Sequence, residues 1–267
     1  MSGSVSVGLV RSELAKVTST RLWWGLLIGV AVYAGIQSGV TAGFAGLSPG
    51  AGQPASPGLD TAAGLRSVYA TSAFTGAYVF ALVIGVTGMT QEFRYQTATP
   101  TFLLTPRRSR VVVAKAAAHL VVGFGYGLVA TVVAFLVGGT VVALRGYDLG
   151  LGASGLWRAV ALGVLAVALW TLVGIGVGTL IRNQVAAILV AVAVTFLVEP
   201  LVSFGLGAAG LDDVAKFTPS SASTAMTGAS STFITLLPWW AGALVLLAYA
   251  AVFAAVGIAL TVRRDVT

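Results

Sequence analysis

Six stretches of this chain are apolar for about the 20 residues that an α-helix needs to cross a hydrocarbon core of about 30 Å. They run from Leu22 to Phe44, Val68 to Thr90, Leu120 to Leu144, Ala159 to Ile181, Val185 to about Phe204, and Trp239 to Val262. Such runs restrict the chain to an all-α membrane protein, a bundle of six transmembrane helices. A spanning barrel would instead be written in strands of about 10 residues with alternating polarity. A soluble fold is no competitor for a chain with 57% hydrophobic and 9% charged residues. The fifth run is the least regular, because Glu199-Pro200 interrupts it near one end. The third is preceded by apolar residues from Val111 onward that exceed what a span requires. Its first turns, with Lys115 and His119, are therefore expected outside the core, Lys115 reaching back to lipid headgroups.

An even number of spans puts both termini on one side, and basic residues choose the side. With the termini in the cytoplasm, the inner set is Arg11, Lys16, Arg21, Arg94, Arg107, Arg108, Arg110, Lys115, Arg182, Arg263 and Arg264, against Arg66, Arg145, Arg158 and Lys216 outside. The net charge of +7 thus reports topology and contact with anionic membrane lipid rather than nucleic acid. The first apolar run exceeds a secretory h-region of about 7 to 15 residues, so it is expected to be retained as a helix. Before it, Val7, Val10, Leu14 and Val17 recur at helical spacing while Arg11, Ser12 and Lys16 fall elsewhere, the pattern of an interfacial amphipathic helix within residues 1–21. One membrane domain over residues 1–267 follows, with a cytoplasmic loop in 92–110 and a mixed outer region in 205–236. Residues 47–59, with Pro49, Pro54 and Pro57, read as an irregular link. Arg182-Asn183-Gln184 is tight enough to make spans four and five an antiparallel hairpin. The polar and small residues between Leu201 and Leu237 predict short helices at the outer surface, apolar enough to dip back against other spans. The chain shows no internal repeat of the inverted-transporter kind.

Residues 92–110 carry the most specific signal. Glu92-Phe93-Arg94 ends one run. Thr99 then suits an N-cap, Pro100 the first helical position, and Thr105-Pro106 a stop. This short helix would present Phe102 and Leu103, with Thr101 beside them, rimmed by Glu92, Arg94, Arg107, Arg108 and Arg110. An apolar contact inside a charged rim suits a protein partner. An amphipathic loop lying in the lipid interface is the competing reading.

Other motifs are weaker. Gly35, Gly39 and Gly43 recur every four residues in span one, as do Gly25 and Gly29, Gly123 and Gly127, and Gly174 and Gly178, a spacing that lets helix backbones approach. Packing inside one subunit and a dimer seam both explain it. Gly205 to Gly210 match a dinucleotide glycine pattern but follow a span rather than a strand, so chance accounts for them. No P-loop occurs, so any ATP that drives the chain is bound by another polypeptide. The chain has no cysteine and a single histidine, His119, which removes most metal and catalytic-triad chemistry, and no metal ligand set is expected. Glu199, followed by Pro200, is costly near a span end unless paired or wet; Arg145 and Arg158 are its candidate partners, and Glu199 with Pro200 is a candidate substrate contact or outer gate. Trp23, Trp24, Trp157, Trp239 and Trp240 sit at span ends as interfacial anchors.

Through Glu92-Phe93-Arg94, Thr97, Thr101-Phe102-Leu103, Thr105-Pro106, Arg108, Arg110-Val111 and Ala114-Lys115, with six spans, an amphipathic start and Arg263-Arg264-Asp265 at the close, the chain resembles the permease subunits of type-2 ABC exporters. The resemblance implies a non-enzymatic transport subunit in the bacterial inner membrane, with both termini cytoplasmic. It pairs with a second permease, identical or homologous, and with ATP-binding cassette ATPase subunits that hold ATP and Mg; no cofactor binds this chain. Residues 92–110 would carry the coupling helix, with Glu92, Phe93, Arg94, Thr101, Phe102, Leu103, Arg107, Arg108 and Arg110 facing the ATPase, and short re-entrant helices would follow span five. The small outer region suits a hydrophobic or amphiphilic cargo, such as a drug, antibiotic or lipid-like molecule. A membrane-embedded immunity or sensor-associated protein is the alternative, and an ion-coupled secondary transporter, which would want charged groups at mid-span, ranks third.

Overall fold

The computed structural model describes residues 2–48, 55–94, 108–181, 183–228 and 236–264, except for the side chains of residues 2–6, 93–94, 108–112 and 258–264. All regular structure among them is helical, with no strand. In chain order the elements are α1 (Ser2–Thr18), α2 (Leu22–Phe44), α3 (Ala62–Arg66), a π-turn (Ser67–Thr71), α4 (Ser72–Arg94), α5 (Arg108–Leu144), α6 (Leu156–Leu180), α7 (Gln184–Ala193), a second π-turn (Val194–Val198), α8 (Glu199–Ala208), α9 (Asp212–Ala215), α10 (Pro219–Thr227) and α11 (Trp239–Arg264). Six continuous helical stretches are long and apolar enough to cross a membrane: Leu22–Phe44, Ala62–Glu92, Val113–Leu144, Leu156–Leu180, Gln184–Ala208 and Trp239–Gly257. The protein is a multi-pass membrane bundle.

Helix α6 forms its centre, packed on α4, α5, α11 and α10. The approach of α4 to α6 is set by glycine. A Cβ on Gly85 would fall on Thr171 O and within 3.0 Å of Gly174 Cα, and one on Gly178 would come within 2.8 Å of Val86 O. Gly123 of α5 meets Ala168 Cα of α6 in the same way, at 2.6 Å. By contrast, the Gly35, Gly39, Gly43 series meets side chains and no neighbouring backbone, most tightly at Gly35, where a Cβ would come within 3.3 Å of Val133. Gly35 faces Val133 and Val137 of α5, Gly39 faces Val137, and Gly43 faces open space.

Glu199-Pro200 does not break the fifth span. Proline lacks the N–H that the α-ladder needs, and the chain absorbs this by widening to a π-turn before it, where Glu199 N–H bonds Val194 O. The helix then continues to Ala208. The link from span four to span five is as tight as expected, with Asn183 Oδ1 capping Ala186 N at 3.0 Å. Yet α7 packs mainly on α4 rather than along α6. After α8 the chain returns through α9 and α10. Thr218 caps α10, whose Ser223 accepts a 2.8 Å hydrogen bond from Trp170 Nε1 on the central helix.

The two ends of the bundle differ. At one lie α1, the helix ends flanking 95–107, the C-terminal end of α6, the start of α7 and the last described turns of α11; Gly257 there packs on Thr179. At the other, Arg145 caps α2 by donating to Ala42 O (2.7 Å) and Ala45 O (3.0 Å), Arg66 donates to Ser154 O (3.0 Å), and Trp157 Nε1 donates to Leu151 O.

Candidate functional site

Residues 95–107 join α4 to α5 in the chain. Thr97, Thr99, Pro100, Thr101, Phe102, Leu103, Thr105, Pro106 and Arg107 lie outside the described residues, while Phe93, Arg94, Arg108 and Arg110 are described in backbone only. Glu92 lies in the last turn of α4, and its carboxylate is turned into the bundle.

There it joins a cluster of charges under α1. Lys115 Nζ, on the second turn of α5, lies 2.7 Å from Glu13 Oε2, 2.8 Å from Glu92 Oε1 and 3.1 Å from Gly88 O. The contact to Glu92 is an ion pair by distance without hydrogen-bond alignment. Lys16 adds a hydrogen-bonded ion pair to Glu13 and a looser 3.7 Å approach to Glu92. Side-chain exposure is 6% for Lys115, 5% for Glu13 and 7% for Glu92, against 42% for Lys16. Lys115 therefore does not reach for headgroups. The expectation fails because two carboxylates surround the ammonium at a depth where an unpaired charge would be costly. Burial pushes the Glu13 carboxyl up, but the Lys115 ammonium, by charge and hydrogen bond, together with Lys16, holds it net below its ordinary value.

His119 lies one turn beyond Lys115, fully buried. Its Nδ1 is 2.9 Å from Lys115 O, so that nitrogen is the donor, and its Nε2 has no partner among the described residues. The ring fits because position 88 is glycine; a Cβ there would overlap it. A cavity of about 210 Å³ opens beside these groups, walled by Glu13, Lys16, Gln91, Glu92, Lys115 and His119.

The arrangement ties three helices at one point: α1 through Glu13, α4 through Glu92, α5 through Lys115. Glu13 escaped sequence reasoning although its position signals it. It sits between Val10, Leu14 and Val17 on the apolar stripe of α1, and a carboxylate in such a stripe needs a buried cation.

The second candidate, Glu199, is 8% exposed and accepts a hydrogen bond from Ser220 N in the first turn of α10. It does not pair with the expected arginines. Arg145 is engaged on the α2 carbonyls and Arg158 stands over the Trp239 ring at 5.8 Å. Pro200 is exposed on the outer flank of α8. No protein-family model matches the chain, and no curated protein matches it.

Proposed function

We propose that the chain is the transmembrane subunit of an ATP-driven exporter, a permease of the type-2 ABC kind that moves a hydrophobic or amphiphilic compound across the bacterial inner membrane. The ATPase is a separate subunit that binds ATP and Mg, and the working unit pairs this chain with a second permease.

The observation that carries this reading is the charge cluster at the foot of 95–107. A loop that only rests in lipid has no use for a brace at a cost in buried charge. A loop pushed by a motor does, because force applied to it must reach the spans rather than bend the helix ends. Glu92 and Lys115 stand on the two helices that flank the loop, and Glu13 ties α1 to Lys115. The glycine-set contact of α4 with α6 continues that path into the centre of the bundle. In this reading the coupling helix spans Pro100 to Leu104, Phe102 and Leu103 seat in an ATPase cleft, and the rim of Arg94, Arg107, Arg108 and Arg110 surrounds them. The end carrying α1 faces the cytoplasm, since it collects most of the arginines and lysines. At the far side, α10 is a re-entrant helix, in accord with its bond to Trp170 well along α6.

Purification in mild detergent tests the proposal. An ATP-binding cassette protein is expected to copurify in stoichiometric amount, with vanadate-sensitive hydrolysis that the chain stimulates. Isolation without any such ATPase, under conditions that preserve the chain's oligomer, would count against it.

A further inference from the structure

Glu199 lies well inside the span Gln184–Ala208, yet no lysine, arginine or histidine among the described residues is within ion-pair distance of it. Its described hydrogen-bond partner is Ser220, whose N–H asks only for an acceptor oxygen, which glutamine would supply without a charge. Charge at membrane depth is expensive, so a carboxylate there is a site by default.

The surroundings are those of a cation site. The phenols of Tyr78 on α4 and Tyr249 on α11 stand within electrostatic reach of the carboxylate. The Tyr78 ring packs edge-on to Trp170 at 5.0 Å, stacks on Phe74 at 5.1 Å, and faces Phe196 at 6.4 Å. Trp170 is buried at the floor, while Phe196 is 46% exposed and opens the group to the flank of the bundle. A buried hydroxyl, Ser203 Oγ, has no partner among the described residues. Ser203 lies one turn beyond Glu199 on its helix. Aromatic faces and a carboxylate attract organic cations, and an unpaired hydroxyl awaits a polar group.

We propose that this niche between α4, α8, α10 and α11 binds the cationic head of a lipophilic organic cation, with Glu199 as counter-ion and Tyr78, Phe196 and Trp170 as its aromatic wall. The proposal deepens the exporter reading, on which it rests for the consequence of binding, by naming the cargo class. The head takes the carboxylate in exchange for Ser220, so binding releases the first turn of α10. The movement reaches Trp170 through its bond to Ser223.

The test is equilibrium binding of tetraphenylphosphonium to the purified chain in phosphatidylcholine nanodiscs, without nucleotide or ATPase and with empty discs subtracted. Wild type is expected to bind saturably and change its tryptophan emission, a change absent from Trp170→Phe. Glu199→Gln, which keeps the acceptor for Ser220, is expected to bind at least about tenfold more weakly at unchanged thermal stability. Tetraphenylborate, of the same shape and opposite charge, measured separately on wild type, is expected to show no saturable site, a comparison that needs no variant to fold. Equal affinity in Glu199→Gln, an equal site for tetraphenylborate, or no saturable phosphonium binding overturns the proposal. Should the ATPase copurify while phosphonium fails to bind, the niche is wrong and the exporter reading stands; the reverse pair of results separates them the other way.

Discussion

Replacing Lys115 with methionine removes the only nearly buried cation between Glu13 and Glu92, whose side chains are 5% and 7% exposed. Lys16 cannot substitute, because its own side chain is 42% exposed and a surface pair contributes only about 0–1 kcal/mol. Breaking a buried pair from one side costs about 3–5 kcal/mol, most of it the penalty of the charge left behind. The bundle need not unfold to escape that penalty. Helix α1 can undock, since its described contacts are chiefly with α5, and local opening is the cheapest route. A loss of about 3 kcal/mol corresponds to roughly 100-fold more frequent opening. Hydrogen–deuterium exchange of residues 9–18 in nanodiscs is therefore expected to accelerate by about that factor in Lys115→Met, while α6 stays protected. Glu13→Gln/Lys115→Met is expected to regain part of the loss, because one of the two stranded carboxylates is gone while Glu92 keeps its charge. Exchange within about threefold of wild type in Lys115→Met, or single effects that simply add in the double variant, would show that Lys115 does not hold α1 in place.

The same cluster sets a pH dependence. The Glu13 carboxyl is held below its ordinary value of 4.5, so its contribution is fully present above that pH and is lost as pH falls through the lower folded-state value; protection of α1 should drop below pH 4.5, with a shallower fall in Glu13→Gln. Gly85→Ala should destabilise the bundle by about 1–3 kcal/mol, since its methyl meets the α6 backbone, whereas Gly43→Ala, facing open space, should leave the thermal midpoint unchanged. For sidedness, Leu151→Cys but not Ser12→Cys should react with an impermeant thiol reagent on intact cells, and the opposite pattern would invert the topology.

The sequence announces the spans because hydrocarbon imposes a length and a polarity that can be read locally, and Leu22 and Phe44 bound a helix as expected. What it conceals are contacts between segments distant in the chain. Lys115 reads as a headgroup lysine until Glu13, 102 positions away, is seen beside it. Glycine spacing is legible, but not which stripe is used. The closest approach falls on Gly85 and Gly174, where a backbone lies opposite, and not on Gly39, where a valine does. Pro200 signals interruption, yet a π-turn carries the helix past it, a register change that depends on the surrounding packing. The signal in 95–107 remains one of sequence, carried by Thr99-Pro100 and Thr105-Pro106.

Phe102→Ala/Leu103→Ala separates a loop seated in an ATPase from a loop resting in lipid. If these side chains anchor the chain in an ATPase cleft, truncation costs about 2 kcal/mol or more, roughly 30-fold in affinity. The variant should insert, fold and keep α1 protected, yet lose the copurifying ATPase or uncouple its hydrolysis from transport. Wild-type copurification together with wild-type transport-linked turnover would mean that Phe102 and Leu103 do not seat in an ATPase and would return the loop to the lipid interface.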